Sequence, residues 1–174
     1  MKAKKVSLVV LYLLATQFVA AQSLRSVLLD QLKTTHDKQN WFVPVNVALQ
    51  GVSAEQAAWT DGTGNHSIGQ LANHLLFWNE RQLQKFKGEE PVPFTGNNDE
   101  TFNAFTKEQW SQTVKKLSSV LTDLEKIIAS ADDDALRSWA ETIGNISAHN
   151  AYHTGQIVYV RKAQGSWPPD KGVK

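Results

Sequence analysis

Apolar residues recur at three- and four-residue spacing along four stretches of the chain, and each stretch predicts a helix. The first begins at Ser23, where Leu24, Leu28, Leu32, Phe42, Val45 and Leu49 keep the period. Pro44 kinks or interrupts it, because the ring removes an amide and crowds the preceding turn, and Gly51 ends it. The second starts at Ser67, since Ser-x-x-Gln through Gln70 is a capping box. Its buried side is Ile68, Leu71, Leu75 and Trp78, and Gly88 closes it. A third helix follows a Thr-x-x-Gln box at Thr106 and Gln109 and carries the most regular stripe: Trp110, Val114, Leu117, Leu121, Leu124 and Ile128. With no candidate ligand on it, this helix reads as scaffold. The fourth runs from about Thr142 to Gln164, with Ile146, His153, Ile157 and Val160 facing inward. Arg161 and Lys162 suit its C-terminal dipole, and Gly165, Pro168 and Pro169 end it.

Between these stretches the sequence reads as connection. VSAEQAAWTDGTGN holds a short turn capped by Ser53 through Glu55 and Gln56, then a breaker cluster at Asp61-Gly62-Thr63-Gly64-Asn65. EEPVPFTGNNDETFNAF is a long connection, and ADDDALRSWAETIGN links to the fourth helix. There is no internal repeat, low-complexity tract or strand-like alternation of useful length. The pattern therefore predicts an all-α fold, one four-helix bundle.

Upstream of the first stripe, MKAKKVSLVVLYLLATQFVAA reads as a secretory signal. Lys2, Lys4 and Lys5 precede an apolar run from Val6, and Val19 and Ala21 occupy the cleavage positions. The expected organisation is a signal peptide over residues 1–21 and a single bundle domain over 22–174, periplasmic or secreted, with an uncleaved anchor as the alternative. The apolar run is too short for a stable membrane span once cleavage is allowed. The chain has 18 basic and 17 acidic side chains. The signal carries three lysines and no acid, which leaves 15 against 17, or −2. That balance gives no basic footprint for nucleic acid. With no cysteine, disulfides, thiolate nucleophiles and cysteine metal sites are excluded.

Candidate chemistry lies in HNAYHTGQIVYVRK, residues 149–162. His149 and His153 are four apart on the fourth helix, so their directions differ by about 40° and the two imidazoles stand on one face. His153 lies in the inward stripe and His149 at its edge. One shared divalent cation would satisfy both rings, whereas unpaired buried rings each cost about 1–3 kcal/mol. From spacing alone, a metal and a pair of hydrogen-bonded core histidines are equally supported. His74 borders the buried side of the second helix, and Arg81, seven residues on, returns to within about 20° of its direction. Arg81 reads either as a cavity residue or as a solvated ion-pairing one. Tyr152 and Gln156 neighbour the histidine face and either orient a reacting group or simply pack. His36 and His66 are assigned surface or capping roles.

HSIGQLANHLLFWNERQLQKFKG followed by AHNAYHTGQIVYVRK resembles the DinB/YfiT-like superfamily of four-helix proteins, over essentially all of the chain after the signal. The family pattern of one histidine on the second helix and a His-x-x-x-His pair on the last, followed by Gly-Gln-Ile, falls here on His74, His149 and His153 with Gly155, Gln156 and Ile157. The resemblance implies one divalent metal, nickel or zinc, held by those three histidines. Trp78, Arg81, Tyr152 and Gln156 are then the candidates to line the cavity or support the ligands. Three imidazoles with an open position make a catalytic rather than a structural arrangement, and such a cation acidifies a bound water or thiol. The resemblance also implies a small-molecule substrate, with thiol-dependent S-transferases and a mycothiol-dependent isomerase among the relatives, and makes a homodimer one assembly to test. Export weakens the thiol-transfer reading and raises metal-assisted hydrolysis. There is no His-Glu-x-x-His, so the metallopeptidase motif is absent. A non-catalytic metal or small-ligand binding module is the alternative from another class.

Overall fold

The computed structural model of the chain describes residues 23–172; the expected signal peptide lies outside them. Among the described residues the regular structure is entirely helical: α1 (Leu24–His36), α2 (Val45–Leu49), α3 (Ala54–Ala58), α4 (Ile68–Phe86), α5 (Glu100–Asn103), α6 (Trp110–Ser130), α7 (Asp133–Ala163) and a 3-10 turn at Pro169–Lys171. None of these helices is long and apolar enough to cross a membrane.

Local chemistry sets most of the helix starts. Ser53 and Ser67 both form complete capping boxes, with Gln56 and Gln70 returning their side-chain oxygens to the serine amides at 2.9 and 2.8 Å. The first stripe behaves differently from a single kinked helix. α1 ends at His36, and Pro44, in extended conformation, becomes the N-cap of a separate α2. A proline restricts the residue before it to extended backbone, so helix cannot continue through Val43. Phe42 is consequently 36% exposed and off the stripe. At the start of α6, Thr106 makes only a long 3.4 Å contact with the Gln109 amide, and the helix begins at Trp110.

The largest departure from the sequence reading is at α7. Residues 133–141, expected as a linker, are helical because Asp132 accepts a hydrogen bond from the Ala135 amide at 2.7 Å and caps the helix there. Leu136 of this added length is buried at 1% exposure. The helix therefore starts well before Thr142. A second unexpected element is α5, inside the long connection.

The four long helices share one core. α1 packs on α6 and α7, and α4 packs on the same two. Leu32, Leu75, Leu124, Ile128, Ile143 and Ile157 are each at most 1% exposed, and burying a side chain of this size stabilises by about 1.5–3 kcal/mol. Arg25 ties the α6–α7 turn to α1. Its guanidinium donates to the carbonyls of Ile128, Ala129 and Ala131 and to Asp133, satisfying C-terminal carbonyls that α6 itself leaves unpaired. α4 and α7 run antiparallel: His74 meets His149 and His153, Asn79 meets Asn150, and Phe86 stacks on Trp139.

Candidate metal centre

α4 and α7 supply the three imidazoles that the sequence singles out. His74 and His153 are buried, at 2% and 7% exposure, and His149, one turn before His153, is half-buried. The ring centroids lie 4.6 Å apart for His74–His153 and for His149–His153, and 5.0 Å apart for His74–His149. One ring nitrogen from each falls within 4.8 Å of the others.

The outward nitrogens decide which way the inward ones present themselves. His74 Nδ1 lies 2.5 Å from Thr101 Oγ1, and that hydroxyl gives its own proton to the Asn98 carbonyl at 2.6 Å. Thr101 must therefore accept, His74 carries its proton on Nδ1, and its Nε2 is left with a lone pair. His153 Nδ1 lies 2.6 Å from the Gln156 side-chain oxygen, which can only accept. Its proton is likewise on Nδ1 and its lone pair on Nε2. His74 Nε2 and His149 Nε2 are 2.9 Å apart, a hydrogen-bond length in which His149 donates. His149 has no other side-chain partner among the described residues, so its proton is free to move to Nδ1.

Burial, and then the like charges that protonated neighbours would carry, keep all three rings neutral. Burial, followed by His153, His149 and His66, holds His74 down to about 3. Burial and then His153 hold His149 to about 4. His153 is lowered chiefly by burial, against the opposing effect of the hydrogen bond it donates to Gln156. Neutral imidazole is the form that ligates a metal.

A cavity of about 790 Å³ opens beside the cluster, lined by all three histidines and by Trp78, Tyr152 and Phe102 among others. Of the four supporting candidates, Trp78 and Tyr152 line it directly, while Gln156 reaches it through His153. Arg81 does not line it. Its guanidinium donates to the Val92 carbonyl at 2.8 Å and lies over the Phe77 ring, 5.4 Å from the centroid, so the cavity role, one of its two readings, is not the one it takes. His36 is not at the surface either: it is 3% exposed, with Nδ1 bound to Glu125 at 2.7 Å and Nε2 3.3 Å from Ser118. His66 stacks on Phe102 at 3.9 Å, and Phe102 stacks on His74 at 3.9 Å, so His66 stands one ring behind the cluster.

Sequence reasoning missed α5, which delivers Thr101 and Phe102 to His74. A usable signal was Asp99-Glu100 ahead of Thr101-Phe102 within the connection, since acidic residues favour a first helical turn. Gly69 is the other half of the arrangement. A Cβ there would sit 2.3 Å from the Phe105 ring, so glycine lets that ring lie directly against α4, and a larger residue would have to displace it.

With this geometry in place, comparison with known families returns one match: the DinB superfamily, over residues 45–157. That is more than half of the chain. The chain belongs to the DinB superfamily. The match extends from the start of α2 through Ile157, leaving α1 outside but taking in His74, His149 and His153. No curated protein and no solved structure matches. In this DinB-superfamily chain the donor set fits a divalent cation. It offers three neutral nitrogens, two of them fixed with lone pairs inward by partners of the kind that orient metal-binding histidines, beside an open cavity.

Proposed function

We propose that this chain is an exported four-helix bundle of the DinB superfamily, which holds one divalent metal, nickel or zinc, at His74, His149 and His153 and acts with it on a small molecule as a hydrolase or thiol transferase. The observation that carries the reading is the pair of hydrogen bonds, His74 to Thr101 and His153 to Gln156, that turn two buried lone pairs toward a third imidazole. When bound, the metal supplies Lewis acidity at coordination positions that the protein leaves open.

The chain's own residues do the rest. Thr101 and Gln156 hold two rings in one tautomer and one orientation, so no reorganisation is needed as charge develops. Phe102 and Trp78 wall the cavity and exclude water from one side of His74. Tyr152 offers its hydroxyl to the Gln156 amide at 3.4 Å and is the group at the mouth able to hold or pass a proton. The reading is tested by a screen of ester, amide and thiol-transfer substrates with metal-supplemented protein. Turnover abolished in His153→Ala supports it.

A second reading, a non-catalytic metal or small-ligand binding module, is favoured by one specific feature: none of the residues lining the cavity is a carboxylate, so the commonest general base besides histidine is not offered there. Saturable binding without turnover supports the module. In either case we place the mature protein, residues 22–174, in the periplasm or medium with no nucleic-acid partner, and sedimentation decides between monomer and homodimer.

A further inference from the structure

The cavity continues well beyond the histidines. On α4 its wall steps from His74 through Trp78 and Gln82 to Lys85, and on the antiparallel α7 from His149 through Asn145 to Thr142. Lys85 stands eleven residues after His74, which at 1.5 Å per residue places it about 16 Å along the helix axis. Beyond it Phe86 stacks on Trp139 with centroids 4.6 Å apart. The site is therefore a trough with the three histidines at one end and an ammonium group at the other.

Its lining is one-sided in charge. Lys85 is the only lysine, arginine, aspartate or glutamate among the lining residues. Gln82, Lys85, Thr142 and Asn145 have no side-chain hydrogen-bond partner among the described residues, whereas Asn79, deeper in the wall, is taken up by Asn150. The unengaged polar groups thus gather at the Lys85 end, about 16 Å along the helix axis from His74 by residue count.

We propose that the trough selects an elongated small molecule with an anionic end group, a carboxylate, phosphate or sulfonate, bound by Lys85 with Gln82 and Asn145 beside it, while the reacting end lies at the histidines. This rests on the reading that the three histidines hold a metal, and it adds the class of substrate. Lys85 is a specificity residue here and touches no reacting atom. Because it is exposed, its ion pair is worth less than a buried one and weakens with salt.

The test uses the full chain supplemented with zinc and two probes of equal length, 8-mercaptooctanoate and 8-mercaptooctan-1-ol, whose thiols address the metal and whose far ends differ in charge. Calorimetry is expected to give about fivefold tighter binding of the carboxylate at low ionic strength, with the preference shrinking in salt. Lys85→Gln should remove the preference while leaving the alcohol's affinity unchanged, and mercaptoacetate, too short to reach, should be indifferent to the substitution. Equal binding of the two long probes, or a preference that survives Lys85→Gln, overturns the proposal. Zinc content is measured on the same samples. Failure to bind zinc, and nickel when that is supplied instead, defeats the underlying metal reading and this inference with it, whereas bound metal with no charge preference defeats this inference alone.

Discussion

Asn79 and Asn150 hydrogen-bond to each other reciprocally across the α4–α7 interface, Nδ2 of Asn79 to Oδ1 of Asn150 at 2.8 Å and the reverse at 3.2 Å. Both are buried, at 2% and 1% exposure. Asn150 follows His149 directly and Asn79 lies five residues beyond His74, so this amide pair pins the register of the two helices that carry the histidines.

Removing Asn150 leaves the Asn79 side-chain oxygen buried without a donor, while its Nδ2 keeps the Leu75 carbonyl at 2.7 Å; a buried polar atom stranded in this way costs about 1–3 kcal/mol. Asn150→Ala is expected to lose at least that much in urea unfolding. The double variant Asn79→Leu/Asn150→Leu should lose less than the sum of the two single replacements, because neither amide is then left without a partner. Additive losses would show that the pair is not a unit.

Thr101 is expected to matter to the metal without touching it. Thr101→Val keeps the shape but removes the acceptor of His74 Nδ1–H, and loss of such an orienting partner typically lowers metal affinity about 10–100-fold. Thr101→Ser keeps the hydroxyl and should retain most of the affinity. Competition titration against a chelating dye measures both; equal affinity in the valine variant would remove Thr101 from the account.

How far these features could be read from sequence depends on whether the signal was local. The capping boxes at Ser53 and Ser67 and the inward phase of His74 and His153 need only neighbours within a few residues, and the structure has them. The beginning of α7 was missed because Asp132 caps alone, with no Glu or Gln three residues later, and because Gly144 reads as a breaker. Leu136, Ile143 and Ile146 nevertheless carried a helical period. α5 is too short for any period, and its contact with His74 joins residues 27 apart in sequence. Arg81 was open between two roles because helical phase places only its Cα–Cβ direction; a long flexible side chain goes to an acceptor within reach, here the Val92 carbonyl.

Acidification should destabilise the fold through the histidines. Unfolded, each imidazole takes up its proton near pH 6.5; folded, His149 waits until about 4 and His74 until about 3. Between those limits the unfolded chain binds more protons, so stability is full above pH 6.5 and falls as the pH drops toward 4. With chelator present, unfolding midpoints from pH 7.5 to 4.5 should decline less steeply in His149→Gln than in the unmodified protein. Identical slopes would contradict the assignment of a depressed value to His149.

Export is expected to remove the first 21 residues. Intact mass of protein recovered from the envelope or medium of the native cell should correspond to a chain beginning near Gln22. An intact Met1 would favour an anchored form instead.

The central claim is that His74, His149 and His153 form one site, and metal-dependent stabilisation in single variants tests it most directly. At about 100 times the dissociation constant, a ligand that binds only the folded state adds about 2.7 kcal/mol, readable as a raised melting temperature. The account predicts one equivalent of zinc or nickel by elemental analysis and a clear increment in the unmodified protein. His74→Ala, His149→Ala and His153→Ala should each lose most of that increment. His66→Ala and His36→Ala should keep it, even though the latter lowers the baseline by breaking the buried contact with Glu125. An increment in His74→Ala equal to that of the unmodified protein would contradict the account.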